Sequence, residues 1–124
     1  MKWLVFIAGL ITAISFILHL TVARKKFLAT MLDASFDPVA KKIMQCQYHY
    51  VSTFSCLSAI MMILVGLRIW PGFTDVLYFL AANFLVCGLV QFFIALTSGL
   101  PKRIIKLNQW IGFVIVAVLL FIGA

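Results

Sequence analysis

Charge is almost absent from long stretches of this chain. The run from Trp3 to Ala23 carries none, lying between Lys2 and Arg24, and three more apolar stretches follow it. An uncharged run of about 20 residues, coiled as a helix rising ~1.5 Å per residue, matches the ~30 Å hydrocarbon core of a bilayer. In that medium unpaired backbone amides are so costly that a spanning segment must be a helix or part of a closed barrel. Runs this long select the helix. Composition agrees, with 65% of the 124 residues hydrophobic and 10% charged, against about half and about a quarter in soluble domains. In water such a surface would aggregate.

The sequence therefore predicts an all-α integral membrane protein. Residues 1–124 form a single domain, a four-transmembrane-helix antiparallel bundle with spans at about 3–23, 47–68, 74–97 and 104–123. Thr21-Val22-Ala23 weakly imitates a signal-peptide cleavage site. The apolar run is longer than a signal h-region, and Arg24-Lys25-Lys26 directly after it opposes translocation, so the segment is expected to stay as the first span.

Beyond that span the first helix is expected to continue through Phe27, Leu28, Met31 and Leu32, an apolar stripe for a partner helix. The break falls at 33–38, where Asp37 suits an N-cap and Pro38 the first helical position. A second helix running to about Ile69 would span nearly 50 Å, so the first two helices should form a hairpin that projects from the membrane into the cytoplasm. Trp70-Pro71-Gly72 ends it, Thr74 or Asp75 caps a third helix reaching Thr97, and Gly99 is placed for a left-handed cap. Asn108-Gln109-Trp110 opens the fourth helix, which runs to Ala124.

Basic residues set the orientation. The first connection holds Arg24, Lys25, Lys26, Lys41 and Lys42 and the third holds Lys102, Arg103 and Lys106, whereas the second sets Arg68 against Asp75. By the positive-inside rule connections one and three are cytoplasmic and both termini lie outside. The net charge of +7 is gathered at helix ends, which points to the bilayer and its anionic headgroups as partners and not to nucleic acid.

Polar residues inside the spans recur on single faces: Thr12, Ser15 and His19; Gln45, His49, Ser52 and Cys56; Asn83, Cys87 and Gln91. Such stripes turn inward and hydrogen-bond between helices. Counting outward from the hairpin turn, His19 faces roughly Tyr48 to Ser52. The candidate site is therefore a polar cluster of His19, His49, Gln45, Ser52, Gln91 and Gln109, with His19 and His49 as tentative metal ligands. Gly9 and Ala13 offer a small-residue interface where another backbone can approach. The three cysteines Cys46, Cys56 and Cys87 fit no zinc or redox spacing and are expected to act as small buried hydrophobes.

Two functions fit. One is a binding or accessory (scaffold) subunit, with a membrane-protein partner or a second copy of itself, whose polar cluster glues the bundle. The other is a small membrane metal- or haem-binding redox protein or enzyme using the same histidines; one histidine per helix allows a transition metal or a single haem. Catalysis has little to draw on, because no acidic residue lies within a span and Ser52, one turn from His49, has no oxyanion donor. A small multidrug transporter is excluded, since the first helix has Thr12 and Ser15 in the region where that family needs a glutamate. His19, the pair Tyr48-His49 and the pair Gln109-Trp110 together resemble a group of small uncharacterised four-span bacterial inner-membrane proteins. That group often has tryptophan where this chain has Tyr48, and an acidic residue where this chain has Arg24-Lys25-Lys26. The resemblance implies an inner-membrane four-span fold with a histidine on each of the first two helices, and no activity.

The charge pattern makes a direct prediction. In a cysteine-free background, a cysteine replacing Ala34 should react with impermeant thiol reagents only after the cytoplasmic side is opened, and one replacing Gly72 only from the outside. Labelling of both from one side would remove the four-span arrangement.

Overall fold

A computed structural model describes residues 2–124, the side chain of Arg103 excepted. It is all-helical, with no strand among the described residues. Helix α1 is Trp3–Asp33, α2 is Pro38–Gly66, α3 is Thr74–Thr97, α4 is the single turn Arg103–Lys106, and α5 is Gln109–Gly123. The first three are long and apolar enough to cross a membrane; α5 is equally apolar but has 15 residues, about 22 Å. The span expected over 104–123 thus comprises α4 and α5, and the helix expected to open at Asn108-Gln109-Trp110 does begin at Gln109. Lys102 takes a left-handed backbone (φ 55°), one turn follows, and α5 restarts after Asn108, which occupies the N-cap position without a side-chain capping bond.

The hairpin turn follows from its sequence. Asp37 Oδ2 accepts from the Ala40 amide at 2.7 Å with Pro38 at the first helical position, so α2 begins with a satisfied end. Across the turn Lys41 Nζ donates to the Leu32 carbonyl at 2.7 Å and lies 5.5 Å above the Phe36 ring, closing the last turn of α1. The far end of α2 departs from expectation. It stops at Gly66, three residues before Ile69, because Arg68 is left-handed (φ 61°) and the Ile69 amide returns to the Leu64 carbonyl, as in a Schellman cap. Neither Thr74 nor Asp75 caps α3; the N-cap position is Phe73, with no side-chain bond. Gly99 is left-handed as expected (φ 66°).

Helix α1 packs along α2 and along α5, and α5 packs along α3. One core draws on all four: Val5 and Ala8, Met62 and Val65, Leu77 to Phe84 on one face of α3, and Val116, Ala117 and Leu120. It lies toward the end where α1 begins. There the Lys2 amide donates to the Gly66 carbonyl (2.8 Å) and Lys2 Nζ to the Ala124 carbonyl (2.5 Å). Most of the remaining large apolar side chains face outward, which suits lipid and not water.

Gly66 has the Phe6 backbone nitrogen 2.7 Å from where a Cβ would stand, whereas Gly112 has nothing within 4 Å. Gly66→Ala should therefore cost about 1–3 kcal/mol, as overpacking against backbone does, while Gly112→Ala should be neutral or slightly stabilising. Unfolding of the detergent-solubilised variants would check this. Equal effects would mean that the α1–α2 contact is looser than described.

Candidate functional site at the seam of α1 and α2

Midway along α1 the helix changes pitch. From His19 to Leu28 it is a π-helix, closed by the Ala29 amide on the Arg24 carbonyl. Each such turn carries one more residue than an α-turn, and π segments gather at functional sites. The wider turn puts Ala23 and Leu28, five residues apart, on the side buried against α2.

At the start of this segment α2 lays Tyr48 on His19. The rings stack at 4.2 Å between centroids and 17° between planes, and the Tyr48 hydroxyl donates to the His19 carbonyl oxygen. A backbone carbonyl has two lone pairs, so this bond adds to the helix ladder without breaking it. One turn along, the Ser52 hydroxyl donates to the Tyr48 carbonyl at 2.9 Å and is buried. The His19 Nε2 atom is buried and has no partner.

Tyr48, and not His49, is what α2 presents to His19. Successive residues of a helix point about 100° apart, so His49 stands edge-on to Tyr48 (5.6 Å, 88°) and faces a different groove. His19 borders a groove of about 680 Å³, almost wholly apolar, with Lys26, Phe27, Met31, Met44 and Val51 among its walls. His49 borders a smaller one, about 310 Å³, with Ser52, Thr53, Cys56, Phe16 and Leu20. Tyr48 thus stacks on His19, and His49 borders the neighbouring groove. Among the described residues no three of histidine, cysteine, aspartate and glutamate come together to hold a metal ion.

The rest of the expected cluster divides by helix. Gln45 is half-buried and accepts from Lys42 Nζ (3.2 Å), one turn earlier on its own helix. Gln91 Nε2 donates to Gln109 Oε1 at 2.8 Å, joining α3 to α5. Beside them Phe92 packs against Trp110 (4.8 Å), and Gln91 Oε1 and Trp110 Nε1 are buried without partners. The inward stripes are only partly kept: Thr12 is buried and donates to the Ala8 carbonyl, while Ser15 is exposed. Gly9 does not wait for another protein. It faces Ile63 and Met62 of α2, with Ala13 half-buried one turn on. Cys46 and Cys87 are exposed, Cys56 is half-buried, and none is paired, so the expectation of buried thiols fails for the first two.

Tyr48 and Trp110 are the residues that sequence reasoning left out of the site. The hairpin register had placed Tyr48 at the edge of the window facing His19, and its ring and hydroxyl are the side chain best able to bridge two helices there. For Trp110 the signal was an amphipathic ring beside Gln109, which gives no direction by itself.

Tyr48→Phe keeps the stack and removes the hydroxyl. It should cost about 0.5–1 kcal/mol, the usual value of an interhelical hydrogen bond, and Tyr48→Ala should cost more. Denaturation of both variants in the same detergent would measure this; a Tyr48→Phe protein as stable as wild type would show that the bond contributes nothing.

The chain matches no family model, no curated protein and no solved structure, so a functional assignment rests on this geometry.

Proposed function

We propose that this chain is a four-span integral protein of a bacterial inner membrane, acting as a binding or accessory subunit through the α1–α2 seam. Support for the fourth span comes from how α5 lies. Gly123 meets Leu4 and Val5 at one end, and Trp110 meets Phe92 near the other, so α5 runs beside helices long enough to span. Exposed Ile104 and Ile105 of α4 add apolar length at its polar end. With three crossings before it and the basic connections inside, both ends of the chain lie outside.

The observation that carries the binding role is the seam itself: a His19–Tyr48 stack, with the Ser52 hydroxyl bonded to the Tyr48 carbonyl, at the border of an open apolar groove. The Ser52 hydroxyl is engaged with the Tyr48 carbonyl, and no carboxylate borders either groove. These are the features of a place that holds something, without the nucleophile–base geometry of a hydrolase. Buried His19 Nε2, lacking a partner, favours the second reading, a redox protein carrying a metal or a single haem.

Metal content and ultraviolet-visible absorbance of the purified protein separate the two. The binding role predicts neither stoichiometric metal nor a Soret band, and His19→Asn and His49→Gln proteins that stay folded and within about 1 kcal/mol of wild type. A Soret band or bound metal lost in either variant would replace that role with the redox one, because an amide is a poor substitute for imidazole on a transition metal.

A further inference from the structure

The groove beside His19 lies mostly on the wrong side of the charges to belong to lipid. Arg24, Lys25 and Lys26 mark the headgroup level on α1, and Phe27, Met31 and Phe36 come after them in the chain. Met44 joins them from α2, while His19, Tyr48 and Val51 line the end of the groove on the membrane side of those charges. Phe27 is 57% exposed and Met44 44%, and no residue of α3 or α5 lines the groove. A contiguous apolar surface outside the hydrocarbon, rimmed by charge, marks an interaction site.

We propose that this groove seats an acidic amphipathic helix of a partner protein on the cytoplasmic side. The proposal rests on the accessory role and orientation given above. Three features select this occupant. The groove is open along one side and walled by two antiparallel helices, the form into which a helix lays an i, i+3, i+4, i+7 stripe. Met31 and Met44 supply the flexible, polarisable lining that adapts to such a stripe. Charge sets the sign. The hairpin carries Arg24, Lys25, Lys26, Lys41 and Lys42 against Asp33 and Asp37, and Asp37 is committed to capping α2. Lys26 stands in the groove wall itself. A second copy would bring the same positive rim and be repelled, whereas acidic flanks on a partner helix would be drawn in.

The test uses the full chain in nanodiscs of phosphatidylcholine. Its probe is a fluorescent synthetic helix of about 18 residues, with leucines at the i, i+3, i+4, i+7 positions and glutamate and alanine elsewhere. Anisotropy should show saturable binding, absent with empty nanodiscs. Binding should weaken at least about tenfold when the glutamates of the probe become lysines, when Lys26→Glu is introduced, or when Phe27→Ser and Met44→Ser are combined. Equal affinity for acidic and basic probes, indifference to these substitutions, or no binding would overturn the proposal.

Two further outcomes would also overturn it. With Met44→Cys carrying a fluorophore in a cysteine-free chain, quenching by bromine-labelled acyl chains would mean that lipid fills the groove. Disulfide dimers formed by the unlabelled Met44→Cys protein would mean that a second copy fills it. Sided labelling at Ala34 reports separately on orientation, so failure of the cytoplasmic assignment is not confused with failure of the groove to bind a helix.

Discussion

The fold depends on how closely backbones approach where lipid gives helices no hydrophobic reason to associate. In a bilayer, apolar faces gain little by meeting each other, so packing contact must hold the helices together. Each interface has a glycine at its closest approach. Gly9 and Gly66 lie between α1 and α2, Gly123 lies against Leu4 and Val5 where α5 meets α1, and Gly88 lies against Phe113 and Val114 where α3 meets α5. A methyl group at Gly66 or Gly123 would stand within 2.8 Å of its neighbour. The Lys2 amide on the Gly66 carbonyl then fixes α1 along α2 by satisfying a carbonyl that the end of α2 leaves open.

That fixed relation decides which side chains meet at the other end of the hairpin. With Gly9 opposite Met62 and Ile63, antiparallel counting brings His19 opposite Ser52 and Thr53, and Tyr48, one turn nearer the hairpin on the same face of α2 as Ser52, lays its ring on His19 while His49 stands to one side. The π segment begins at this contact. Its extra residue per turn shifts the phase of α1 just enough for Ala23 and Leu28 to follow one another against α2, so the seam stays closed for another turn and a half.

The helices, the hairpin turn and the capping by Asp37 and Pro38 were legible because each has a local cause: an uncharged run, a break, a side chain at the right offset. Gln91 and Gln109 partner each other, with Gln91 half-buried and Gln109 exposed. Sequence periodicity gives the face of one helix and does not say which neighbour that face meets; α5 stands beside both α1 and α3, and that arrangement separates the glutamine pair from the histidine. The separate turn Arg103–Lys106, the early stop at Gly66 and the π pitch were not legible. The first two turn on left-handed backbones at Lys102 and Arg68, residues with no intrinsic preference for that conformation. The third depends on the fit of α1 to α2, which no local motif encodes.

The same basic residues that orient the hairpin also leave it with an unfinished surface. Charged ammonium groups are costly in hydrocarbon, so in the proposed topology Lys25 and Lys26 hold their level at the headgroups and the helix beyond them extends into water. Helix α1 remains apolar beyond that level, with Leu28 buried and Phe27 exposed, and α2 offers Met44 to the same groove. Helices α3 and α5 do not cover it: Gln91 and Gln109 pair with each other, and neither helix contributes to the groove walls. In that topology, an apolar surface placed in water by one set of residues and left uncovered by α3 and α5 is more economically explained as half of an interface than as an accident of length. A soluble extension selected only to space two spans would carry polar residues where this one carries phenylalanine and methionine.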